Sequence, residues 1–301
     1  MRKLMLALVV VLSLTTTPVW AGPTFELKQF TPYEGGYDPE WRARGILKNT
    51  GDQRAYFVKV YADLHNKNTG AFIKTEYGYV NGTTALTGSG YSVDATIAPG
   101  EWVTFEIFFS DLSFSDTEAR NIRVVYDTYD SAPETKAKPI VTTLVQTKDS
   151  RGYWEGAGVV LNEGTETAFF VKVHCDLFSF KNEDLGHLED NYFYLGYDWT
   201  YIDGYEGTTP RGTETDTMLP PGAQATFWSI LSYVRFDDVR FARTTTNWDE
   251  YGSSTSGFNA SESQSKMPHK LNSKEAWEQY NQQQEALRTS DPGQLHIQIM
   301  N

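Results

Sequence analysis

YFVKVYADL, residues 56–64, returns as FFVKVHCDL at residues 169–177. In the first stretch Tyr56, Val58, Val60, Ala62 and Leu64 alternate with Phe57, Lys59, Tyr61 and Asp63. Successive side chains of a strand point to opposite faces, so this is one apolar face and one mostly polar face. In the second stretch Phe169, Val171, Val173, Cys175 and Leu177 take the inward row, and Lys172, His174 and Asp176 the outward one. A strand with one wet face belongs in an antiparallel sheet.

The match extends outward on both sides. Gly45, Asn49 and Gly51 recur as Gly158, Asn162 and Gly164 at the same offset of 113. Downstream the offset becomes 122. Tyr79-Val-Asn-Gly82 recurs as Tyr201-Ile-Asp-Gly204, Pro99-Gly100 as Pro221-Gly222, Phe105 as Phe227 and Phe114 as Phe236. An offset that holds over many positions and changes once marks a duplicated unit, with nine residues gained between Leu177 and Tyr201. The Asn-Gly and Pro-Gly positions are turn chemistry. Each copy has about 110 residues and many short strands, the rhythm of an immunoglobulin-like sandwich. The expected fold is all-β: two tandem immunoglobulin-like antiparallel β-sandwiches, at residues 24–130 and 139–250. A polar linker from Asp130 to Lys138 joins them. A flexible tail, 251–301, follows the second; its Ser- and Gly-rich start has linker composition. Asn272 as N-cap and Glu275 three residues on predict a short helix over 273–288.

The first 21 residues read as a signal peptide: basic Arg2 and Lys3, the apolar run Leu4 to Leu14, then Val19 and Ala21 at a cleavage site. The run is too short to span a bilayer. The expected location is outside the cytoplasm, periplasmic or extracellular, in a bacterium. With 39 acidic and 26 basic residues the net charge is −13, and removing Arg2 and Lys3 takes it to −15. That balance argues against nucleic acid or anionic lipid as partners. The single cysteine, Cys175, excludes an internal disulfide, so apolar cores must hold the fold.

The segments from Gly45 to Leu64 and from Ala98 to Phe105 resemble the FxLYD-type domain, a bacterial extracytoplasmic family of small immunoglobulin-like sandwiches. The second copy is similar through Gly158, Asn162, Gly164, Val171, Val173, Leu177, Pro221 and Gly222. His65-Asn66 and Phe178-Ser179 stand where the family has Tyr-Asp after the leucine. The resemblance implies an exported, non-enzymatic module and brings no catalytic residues.

Candidate chemistry is sparse. Cys175 and His174 fall on opposite faces of one strand, so they do not form a nucleophile–base pair; Cys175 reads as a buried free thiol. The nine-residue expansion gathers Glu183, Asp184, His187, Glu189 and Asp190 without a metal-ligand spacing, and reads as a long solvated hairpin. No nucleophile elbow, zinc-protease helix, phosphate loop or dinucleotide fingerprint is present. No catalytic residue, metal or cofactor is expected. The densest aromatic run supplies the speculative ligand-binding set Tyr192, Tyr194, Tyr197, Asp198, Trp199 and Asp203. The expected function is binding or scaffolding at the cell envelope by protein contact. A carbohydrate-binding module on the aromatic-acidic region of the second copy is the alternative. A glycoside-active or metal-assisted enzyme is the remote one. The partner is accordingly an envelope protein or a glycan.

Overall fold

The computed structural model describes residues 22–35, 40–88, 92–129 and 132–251. The signal-peptide reading and the tail helix therefore lie outside the described residues. The protein is all-β, with sixteen strands and no α-helix among the described residues. Every strand pairing is antiparallel.

In the first half, β1 (Phe25–Gly35), β2 (Glu40–Asn49) and β7 (Trp102–Phe109) form one layer. The opposite layer is β4 (Phe72–Asn81), β3 (Tyr56–Asn66) and β8 (Thr117–Asp127). The end of β4 crosses to β7 at Val80 and Asn81, which joins the two layers at a corner. A hairpin of β5 (Thr83–Leu86) and β6 (Ser92–Thr96) covers one side. The second half repeats this plan. Its layers are β9 (Pro139–Lys148), β10 (Tyr153–Asn162) and β15 (Gln224–Arg235), against β12 (Tyr192–Tyr201), β11 (Phe169–Phe180) and β16 (Phe241–Asp249). The hairpin is β13 (Tyr205–Thr208) with β14 (Glu214–Met218). The corner here shrinks to one bridge, Asp203 to Thr226, at the positions of Asn81 and Thr104.

The duplicated residues hold equivalent places. The side chain of Asn49 donates to the carbonyls of Gln53 and Ile97 and accepts from Gly51 N. Asn162 donates to Glu166 and Leu219 and accepts from Gly164 N and Lys138 N. Both are fully buried. Each thus ties the turn to the facing strand and satisfies backbone groups that have no water. Asn162→Ala should cost at least about 3 kcal/mol, because several buried partners lose their bonds at once. Urea melts of the variant would check this, and a loss under ~1 kcal/mol would contradict the clamp. Trp41 and Trp154 lie 113 apart, and both are completely buried.

Each half has its own core. Val58, Val60, Ala62 and Leu64 pack with Trp41, Phe105 and Ile107. Val171, Val173, Cys175 and Leu177 pack with Trp154 and Phe227. One expectation needs correction. Asp63 and Tyr61 are partly exposed on the outer face of β3, as period two requires, but their counterparts Asp176 and His174 on β11 are buried. Period two assigns a side chain to a face without saying what covers that face, and here the first sandwich covers it.

Candidate interaction surface

The outer face of β12–β11–β16 lies on the outer face of β2 and β7 and on the β5–β6 hairpin. A small aromatic core seals the contact: Ile46 and Trp102 from the first sandwich meet Phe178, Tyr192, Tyr194 and Phe241 from the second. Polar pairs surround it. The Thr104 hydroxyl donates to Asp176 Oδ1 at 2.7 Å while accepting from Asn81 Nδ2 at 2.9 Å. Tyr194 OH donates to the same Asp176 oxygen at 3.2 Å. Lys172 pairs with Asp94 at 2.8 Å, and Asn247 Nδ2 donates to Gly82 O at 3.2 Å. Arg243 donates to the Trp102 carbonyl, stacks over the Trp102 ring and approaches Glu101 at 3.6 Å.

The nine-residue expansion belongs to this contact. It ends β11 in two short 3₁₀ turns, Glu183–Leu185 and Glu189–Asn191. The second turn reaches the first sandwich, where Glu189 pairs with Lys48 at 2.8 Å and Asp190 with Lys28 at 2.9 Å. Arg44 donates to the Leu195 carbonyl alongside. A hairpin expected to be solvated is therefore half a clamp. The signal available in the sequence was Phe178, an aromatic where the first copy has His65 on the outer row.

The six residues of the expected ligand-binding set are divided by this packing. Tyr192 and Tyr194 are buried in the contact, and Tyr197 is half-buried beside it. The Asp198 carboxylate turns the other way and accepts from Ser229 Oγ and Ile230 N on β15. Asp203 accepts from Thr226 Oγ1 at the corner. Only Trp199 of the six is exposed, next to Tyr201, with the two rings edge to face at 89°. The set does not form one surface. Among the described residues no three His, Cys, Asp or Glu side chains gather to hold a metal, and no helix is long and apolar enough to cross a membrane. Cys175 is a free, buried thiol whose pKa burial pushes well up, so it is a packing group.

Among the described residues, the outer face of β4–β3–β8 on the first sandwich is uncovered. Register places Lys59 beside Tyr79 and Val125, Tyr61 beside Tyr77 and Arg123, and Asp63 beside Thr75 and Arg120. Tyr77 and Tyr79 are 43% and 47% exposed and Val125 47%. Lys59 Nζ sits 4.7 Å and 4.8 Å from the centroids of Tyr77 and Tyr79, and Arg123 lies over Tyr61. Asp63 accepts from Thr75 at 2.6 Å and from Arg123 at 2.9 Å. The hydrogen bond from Thr75, then the one from Arg123, holds its carboxyl below the usual range, so it stays ionised at neutral pH. Pre-ordered Tyr and Arg side chains are the groups that dominate protein interfaces, since they bury much area at small entropic cost. By the repeat register this face is the counterpart of the one through which the second sandwich holds the first. No protein-family model matches the chain, and no curated protein matches it.

Proposed function

We propose that the chain is a non-catalytic, exported binding or scaffolding protein of the cell envelope that works through protein contacts. One observation carries this reading. The outer face of β11 in the second copy packs on the first sandwich, whereas the equivalent face of β3 carries partly exposed Lys59 and Tyr61 and exposed Tyr77 and Tyr79 with no other described residues covering it. Exposed aromatics arranged around cations favour a protein partner. The resemblance to FxLYD-type modules and the signal-peptide reading of residues 1–21 point the same way. Stacking a sugar ring calls for an aromatic platform, and the exposed pair Trp199 and Tyr201 meets at 89° instead. That geometry favours protein contact over the carbohydrate alternative.

A photo-crosslinking residue in place of Tyr79 tests the reading in the cells that make the protein. The expected result is a discrete protein adduct that disappears when Lys59→Glu is added. Adducts to glycan alone, or a protein adduct indifferent to Lys59→Glu, would remove its basis.

A further inference from the structure

We infer that the chain associates head to tail with further copies of itself, repeating between chains the contact its two sandwiches make within one. This inference rests on the protein-contact reading and names the partner. The argument begins with the register. The contact within the chain joins an outer β12–β11–β16 face to the outer face of β2, β7 and the β5–β6 hairpin. The duplication leaves one of each type over: β4–β3–β8 on the first sandwich, and β10, β15 with the β13–β14 hairpin on the second. These are different surfaces at different ends of the repeat, so pairing them is heterologous and open-ended.

The unused faces match in detail. Lys172 meets Asp94 within the chain. Their counterparts are Lys59 and Asp216, at offsets 113 and 122. Lys59 lies over the Tyr77 and Tyr79 rings and bonds the Tyr79 side chain without a carboxylate partner among the described residues, and Asp216 is exposed on β14 with no ion-pair partner among them. Apolar surface is exposed on both sides: Tyr77, Tyr79 and Val125 on one, Trp228 at 52% and Ile230 at 37% on the other. The Trp228 indole is fixed by its bond to Glu155 at 2.7 Å, so it stands ready-ordered as an anchor.

The charges have been exchanged in a compensating way. On the receiving face within the chain, Arg42, Arg44 and Lys48 stand where the second copy has Glu155, Ala157 and Leu161. Lys48 there answers Glu189 of the expansion, which the first copy lacks. At the corner, neutral Asn81 becomes Asp203, which accepts the hydrogen bond of the Thr226 hydroxyl. An incoming Asp63 would meet a second carboxylate there. The first copy supplies Arg123, bonded to Asp63, where the second copy has Thr245. The uncovered donor face thus carries Lys59, with Arg123 bonded to Asp63, toward a receiving face that carries Asp216, with Glu155 bonded to Trp228. Within an acidic chain that pairing selects this arrangement over like-with-like contacts.

Sedimentation velocity on the purified protein across a wide range of concentration is the test. The wild type is expected to form assemblies that lengthen with concentration. Lys59→Glu and Asp216→Lys should each weaken association at least about tenfold, and combining them in one chain should restore it. Both positions are on the surface, and an unchanged thermal midpoint shows that the fold is kept. A Lys59→Glu chain mixed with a Trp228→Asp chain should give a one-to-one pair that grows no further, because each retains one working face. A wild type that stays monomeric overturns the inference, as does an assembly insensitive to either face or a closed dimer that needs only one. A monomer that still forms the Tyr79 protein adduct would leave the protein-contact reading standing with a different partner. A monomer that forms none would end both.

Discussion

Gly158→Ala is expected to cost the second sandwich about 3 kcal/mol or more, a change of sign from what alanine usually does in a strand. Gly158 lies in the middle of β10, paired to β9 on one side and β15 on the other. A Cβ there would stand 2.2 Å from the Thr143 carbonyl oxygen and 2.6 Å from the Phe227 ring. The carbonyl belongs to the β9 ladder and the ring to a fully packed core, so neither can retreat cheaply. Gly45 shows the same geometry, 2.2 Å from Gln29 O and 2.5 Å from the Phe105 ring. Gly45→Ala should therefore lose a similar amount. Denaturant midpoints of the two variants at constant slope would measure this. If either substitution proved neutral or stabilising, the seating of Phe105 or Phe227 on a glycine would be wrong.

These glycines also explain why the duplication was readable. Gly45 and Gly51 hold places where a Cβ would run into backbone or ring, Asn49 ties its turn to the facing strand, and the Phe105 ring seats on Gly45. Alternation along 56–64 and 169–177 assigned the inward rows correctly, since both are set by local pleat and apolarity. What covers the outer rows depends on the other half of the chain, which no local pattern encodes. Hence His174 and Asp176 read as wet and are buried, and Glu189 and Asp190 read as solvated and pair with Lys48 and Lys28. The aromatic run at 192–201 was visible, but its division between a buried seam and an exposed edge was set by the same docking. The outer row of β3 has the composition of an ordinary strand exterior, so the sequence does not mark it as a site.

The seam between the sandwiches should carry two opposed pH dependences. Asp176 is fully buried, and loss of solvent raises its pKa from 3.8 to about 6, despite Arg243 and the bonds from Thr104 and Tyr194. Its second oxygen has no partner. A raised pKa means the folded protein binds the proton more tightly than the unfolded chain. The associated stability is present below the unfolded pKa of 3.8 and is lost as pH rises through about 6. His174, two residues away on the same outer row, is buried with neither ring nitrogen bonded. Burial, with the charge of Lys172 adding to it against Asp94, lowers its pKa from 6.5 to about 4. Its contribution has the opposite sign. It is present above 6.5 and is lost as pH falls through about 4. Each shift corresponds to about 3 kcal/mol, so in the wild type the two largely cancel across this window. Glu101, which shares Arg243, is raised by burial too and adds to the Asp176 side. Asp176→Asn keeps an oxygen for Thr104 and Tyr194 but removes the titration. It should be more stable than wild type at pH 8, with the gain vanishing toward pH 4, where its stability falls through His174, opposed only by Glu101. His174→Gln should tilt the other way and become more stable, relative to pH 8, as the solution is acidified. Urea unfolding of the three proteins from pH 4 to pH 8 reads both slopes. Parallel curves for all three would mean that water reaches both side chains and that the seam is not dry. Opposite slopes would show that burial of the β11 outer row, which the β3 outer row of the first copy does not share, has thermodynamic weight.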